Sequence, residues 1–132
     1  MTTKQEYFDK TIATLKTMKE RSIAVKDGVD GVASCVYEGP NGYHCAVGMH
    51  LPPGPWMACG GDVMDLFMEF PKVIDMLAIE DEDECGMEIF WSQLQQIHDE
   101  PRNWDASGFK GWPDVRDFCR HFELSLPEGL SW

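Results

Sequence analysis

Residues 34–51, SCVYEGPNGYHCAVGMHL, decide the fold. Two short runs, Ser34 to Glu38 and Tyr43 to Val47, flank Gly39-Pro40-Asn41-Gly42. Proline presets the first turn position, Asn41 tolerates the next and Gly42 can take the left-handed one. This is the signature of a type I turn closed by a glycine bulge, and it predicts a β-hairpin. With Gly39 opposite Tyr43, Tyr37 faces Cys45 and Cys35 faces Val47. The side-chain period of two then gathers Cys35, Tyr37, Tyr43, Cys45 and Val47 on one apolar face for helices to cover.

Helical patterns surround the hairpin. Thr3 and Glu6 form a capping-box pair before a helix expected from Gln5 to Arg21, with Phe8, Ile12, Leu15 and Met18 as its apolar stripe. Residues 23–32 hold a short strand or an irregular approach, broken by Gly28 and Gly31. Leu51 to Gly61 has three prolines and three glycines and reads as a loop. Trp56 within it suits an apolar plug or a contact surface. Asp62 caps a helix to Phe70, Pro71 breaks it, and a second segment runs from Lys72 to Ile79. The acidic run Glu80, Asp81, Glu82, Asp83 and Glu84 precedes a helix from Gly86 to His98, where the macrodipole favours negative charge. Met87, Phe90, Leu94 and Ile97 mark that helix's buried stripe. Trp104, Phe109 and Trp112 recur through a turn-rich segment, and Pro113 opens a last helix to Phe122. The fold class is α+β: about five helical segments packed on a small antiparallel β-hairpin, in one domain spanning 1–132.

Charge is the most unusual bulk property. Eleven basic and 23 acidic side chains give a net charge of −12. Residues 1–26 carry six basic and three acidic side chains, and residues 27–132 carry the other five and twenty. A body at −15 repels phosphate backbones, so direct nucleic-acid binding is disfavoured and a basic protein surface is the natural partner. Acidity that serves solubility alone is the plain alternative. No apolar run approaches the length of a membrane helix, and the charged N-terminus lacks an apolar signal core. The expected location is cytoplasmic.

Several constellations invite chemistry, and the spacing argues against each. The five cysteines form no C-x-x-C pair. Cys35 and Cys45 with other thiols or histidines lack zinc-hairpin spacing, so reduced, buried thiols are expected. Asp81-x-Asp83-x-Cys85-Gly86 starts like a calcium loop but has a thiol at the fifth position and Ser92 at the twelfth. Cys59 before a helix start has the placement of an activated thiol but no hydrolase signature around it. His98-Asp99 resembles the metal-binding pair of phosphohydrolases, and a helix-end histidine explains the same letters. The expectation is no catalytic residue, no metal and no cofactor.

Cys35-Val36-Tyr37 followed by Gly42, then Cys45-Ala46-Val47-Gly48, resembles a pattern in small uncharacterised proteins of bacteriophages and prophages. So does Gln93-Leu94-Gln95-Gln96-Ile97-His98-Asp99 with Trp104 downstream. The resemblance spans about residues 33–122. It implies a phage or prophage origin, and small accessory phage proteins often bind and inhibit or redirect a host protein, defence proteins included. The functional expectation is therefore a non-enzymatic acidic protein that binds a host protein with a basic surface. Glu80, Asp81, Glu82, Asp83 and Glu84 would steer the encounter, and Trp56, Trp104, Phe109 and Trp112 would anchor it. The alternatives are a small cysteine- or metal-dependent enzyme and a structural virion component.

Overall fold

The computed structural model describes residues 2–18, 23–25, 33–35, 45–58, 62–111 and 113–126, with backbone alone at 23–25, 33–35, 57 and 58. The described residues form an α+β fold of five α-helices and two small antiparallel strand pairs. Helix α1 (Lys4–Leu15) starts where the sequence places it. The Thr3 side chain accepts from the Glu6 N–H, and the Glu6 side chain accepts from the Thr3 N–H. It ends six residues early. The Met18 N–H turns back to the Leu15 carbonyl, and the Thr17 hydroxyl donates to the Thr14 carbonyl, so the last turn tightens and closes. Phe8, Ile12, Leu15 and Met18 are all buried, Met18 from within that turn.

The hairpin stands one step earlier in the chain than the turn chemistry suggests. Strand β1 (Ile23–Val25) pairs antiparallel with β2 (Ala33–Cys35), Ile23 opposite Cys35 and Val25 opposite Ala33. The expected turn at residues 39–42 lies outside the described residues. Cys35 therefore faces Ile23 rather than Val47, and the expected strand through Cys45 to Val47 is corrected. That segment winds into a helical turn. Met49 donates to the Cys45 carbonyl, His50 to Val47 and Leu51 to Gly48, while the Val47 N–H is taken by the Gln95 side chain. Val47 itself lies in the right-handed helical region, with φ −86° and ψ −45°. Cys45, Ala46 and Val47 are all fully buried, so the alternation that would mark a half-buried strand is absent.

Helices α2 (Val63–Glu69) and α3 (Lys72–Met76) are split at Pro71, and α2 is capped by Asp62 accepting from the Asp65 N–H at 2.8 Å. Helix α4 (Glu84–Asp99) is the spine, about 24 Å long at 1.5 Å per residue. It begins two residues before the expected start because Asp83 accepts from the Gly86 N–H. Its stripe Met87, Phe90, Leu94 and Ile97, with Trp91, fills the centre of the core. Trp91 donates to the Leu77 carbonyl, which satisfies its indole N–H inside the protein. A short hairpin, β3 (Trp104–Asp105) and β4 (Gly108–Phe109), turns through Ala106 and Ser107 and re-enters the ladder at Gly108, whose φ is 112°. Helix α5 (Asp114–Phe122) then buries Val115, Phe118 and Cys119. Phe8 of α1 stacks on Phe118, whose ring also meets Phe90 and Phe122. No helix among the described residues is long and apolar enough to cross a membrane.

Candidate functional site

The apolar stripes that bury α4 and α5 leave two polar stripes on their flanks. On α4 and its cap these are Gln93, Gln96 and Glu100; on α5 they are Asp114, Asp117 and His121. Each set repeats at i, i+3, i+7. The two line a cleft of about 390 Å³ together with Ile97, Phe118 and Arg102. Ile97 and Phe118 are core side chains that give the cleft its apolar floor. Glu100, Asp114 and Asp117 supply three carboxylates.

Asp114 is the fixed member of that set. It lies in the first turn of α5, where the helix dipole favours a carboxylate. Its Oδ2 accepts from the Asn103 amide at 3.0 Å, and Asn103, itself buried, also donates to the Ile97 carbonyl at 2.9 Å. Its Oδ1 accepts from the Arg102 guanidinium at 2.7 Å. The short 3-10 turn Pro101–Asn103 thus carries one residue that builds the cleft and one that reaches into it.

A second recess, about 210 Å³, lies on the other flank of α4. Asp62 and Val63 of the α2 end line it with Ser92, Gln95, Gln96 and Asp99. Gln96 borders both recesses, so the exposed ridge of α4 runs between two acidic hollows. Under this recess sits a buried polar cluster. The Gln95 amide nitrogen donates to Asp99 Oδ1 at 2.7 Å, and His98 Nδ1 meets the same oxygen at 2.8 Å. A carboxylate only accepts, so Nδ1 carries the proton. The His98 ring packs edge-on against Trp104, whose indole N–H donates to the His98 carbonyl. No buried side-chain nitrogen or oxygen among the described residues lacks a partner. Gln95 ties this cluster to the turn at Val47 and His98 ties it to the Trp104 segment, while Asp99 remains partly exposed at the recess.

A third polar group lies near α1. His50 Nε2 meets Thr11 Oγ1 at 2.6 Å, and that hydroxyl donates to the Tyr7 carbonyl at 2.7 Å, so Nε2 is the donor to Thr11. Burial, helped by the positive charge of Lys10, lowers the His50 pKa to about 4. Burial pushes the Cys45 thiol up to about 12 and, with Asp9 nearby, the Cys119 thiol up to about 11. Both stay protonated at neutral pH and supply no thiolate. Cys85 is exposed; Cys59 and the side chain of Cys35 lie outside the described residues. Among the described residues no three His, Cys, Asp or Glu side chains are placed to share a metal ion.

The structure sorts the residues that the sequence singled out for a partner. Glu80, Asp81, Asp83 and Glu84 are exposed, and Glu82 pairs with Lys4. Asp81 adopts a left-handed turn at φ 66°, Asp83 caps α4, and the Glu80 N–H donates to the Thr2 carbonyl. Three of the run's five residues thus help to build the corner before α4. Of the loop aromatics, Trp56 and Phe109 are buried, which corrects their expected use as exposed anchors and favours the plug reading of Trp56. Phe109 is 2% exposed, its ring set over Gly111, where a Cβ would fall 2.2 Å from Phe109 Cζ. Trp56 is 9% exposed and donates to the Pro52 carbonyl. Trp104 is half-buried, and Trp112 lies outside the described residues. Trp56, Phe109 and Trp104 hold their loops to the body, as apolar rings in loops commonly do. Sequence reasoning passed over the exposed apolar side chains, which among the described residues are Met64, Met68, Met76, Ile89 and Leu126. The signal was available: Met64 and Met68, at i, i+4, lie opposite the buried Val63, Leu66 and Phe67.

No family model, no characterised protein and no solved structure matches this chain. What can be said of function rests on the residues themselves.

Proposed function

We propose that this chain is a non-enzymatic acidic binding protein that engages a basic surface of a host protein and inhibits or redirects it. The observation that carries this reading is the α4–α5 cleft. Three carboxylates, from Glu100, Asp114 and Asp117, surround an apolar floor of Ile97 and Phe118. Carboxylates give steering and register, and the floor gives burial; a cationic side chain with an aliphatic stem uses both. The strongly negative body extends the attraction beyond the cleft. The resemblance to phage accessory proteins supplies the host and the inhibitory role.

Capture from nuclease-treated bacterial lysate on the immobilised chain tests this. The expected result is a basic protein held at low salt and released as salt rises. A Glu100→Gln/Asp114→Asn/Asp117→Asn variant that melts like the parent should lose it. Retention of only acidic or neutral proteins, or equal retention by the variant, would overturn the reading.

A further inference from the structure

We propose that the α4–α5 cleft takes an arginine side chain from a segment of the partner protein, and that Arg102 holds that position until the partner displaces it. The inference rests on the binding reading above and names what the cleft recognises. A guanidinium already sits on Asp114: Arg102 Nη2 donates to Oδ1 at 2.7 Å. The carboxylate is pre-oriented for it. Buried Asn103 fixes the opposite oxygen, so Oδ1 stays aimed at the cleft whether or not Arg102 is there.

Arg102 itself is loosely held. Its side chain is 68% exposed, against 21% for Asp114. Its role as a strut is already filled, because Asn103 from the same short turn joins the α4 end at Ile97 to Asp114 of α5. An exposed ion pair of this kind is weak and exchanges readily. The cleft also has more acceptors than one rim-bound guanidinium uses. Asp117 and Glu100 line it with Gln93 and Gln96. Asp117 Oδ1 already meets the Arg116 guanidinium at 3.3 Å and Glu100 Oε1 the Arg102 N–H at 3.5 Å, so each carboxylate keeps its second oxygen for an incoming donor. A guanidinium brings five N–H donors in a planar fork, whereas an ammonium brings three around a point, so the acceptor set favours arginine over lysine. The volume, about 390 Å³, is near the lower end of ligand sites, suited to one long side chain and a neighbour rather than a whole helix. An apolar residue beside the incoming arginine would lie over Ile97 and Phe118.

The probe is a capped hexapeptide, Gly-Arg-Leu-Leu-Arg-Gly, titrated into the full chain and followed by amide chemical shifts. Its lysine and citrulline analogues and free arginine amide are run beside it. Shifts should centre on Gln93, Gln96, Asp117 and His121, with arginine stronger than lysine and citrulline silent. Arg102→Gln should bind the peptide about two- to fivefold more tightly, the size of an exposed ion pair removed from competition. Asp114→Asn, which can still accept from Asn103, should weaken it about tenfold or more. Unchanged affinity in Arg102→Gln, or shifts centred elsewhere, would overturn the proposal while leaving an acidic binding protein with its site in another place. Free arginine amide binding as well as the peptide would also overturn it, since the cleft would then be a small-cation site. Loss of all salt-sensitive protein capture, by contrast, would strike the functional reading itself.

Discussion

Two acidic regions lie at opposite ends of α4, and they are built in opposite ways. The run from Glu80 to Glu84 is contiguous in sequence and conspicuous there. In the fold, its backbone and side chains turn the corner into α4: Asp83 caps the helix, Asp81 takes the left-handed turn and Glu82 meets Lys4. The cleft at the other end draws Glu100, Asp114 and Asp117 from distant positions onto an apolar floor. A charge run is local, and local charge caps and solvates helices. Recognition needs groups that converge from different elements around something apolar. On the proposed binding reading, the start of α4 is built for structure and its end for recognition.

The comparison breaks most visibly at the cleft floor. Phe118 is core as well as floor, 4% exposed and stacked on Phe8. Phe118→Ala should cost about 3–5 kcal/mol in denaturant unfolding. A cost under about 1 kcal/mol would mean that the floor is not core.

Acid sensitivity comes next, and it belongs to neither acidic region. His50 has a folded pKa lowered to about 4 from an unfolded 6.5, so between these values the unfolded state binds more protons. Stability that His50 permits is therefore fully present above pH 6.5 and is lost as pH falls towards 4, by at most about 3 kcal/mol. His50→Gln should flatten that part of the pH–stability curve. An unchanged curve would move the acid response to other groups.

A smaller effect separates the two regions directly. Asp83→Ala removes a cap and should cost about 1 kcal/mol, read as a fall in melting temperature, whereas Asp83→Asn should be nearly neutral because asparagine caps equally well. Asp117→Asn, on an exposed position in the cleft, should change stability by less than about 0.5 kcal/mol. Equal losses for Asp83→Ala and Asp117→Asn would erase the distinction between building and binding carboxylates.

Helices were legible because their stripes are periodic. Phe8, Ile12, Leu15 and Met18 mark one, Met87, Phe90, Leu94 and Ile97 another, and both sets are buried. Ends were less legible. Thr17 closes α1 by a side-chain bond, and Asp83 opens α4 from inside the acidic run. The stretch from Cys45 to Val47 misled for a specific reason. Its alternation of cysteine, alanine and valine reads as a strand face, but burial on every side removes the meaning of alternation, and Gln95 takes the Val47 N–H that a ladder would need. Trp56 took the plug reading of the two its loop position allowed, and Phe109, set in a turn-rich segment, is buried as well. The cleft was half-legible. Both polar stripes can be read at helical spacing, but only packing shows that α4 and α5 turn them towards each other.

A binding role for the acidity shows first in the association rate. The captured basic partner is mixed with three forms of the chain across a salt series: the parent, the triple cleft variant, and a variant with Glu80 to Glu84 neutralised. The rate should fall steeply with salt for the parent and less steeply for the neutralised run, and the cleft variant should dissociate faster as well. A rate flat with salt and indifferent to both sets of substitutions would contradict it, and the negative charge would then serve solubility alone.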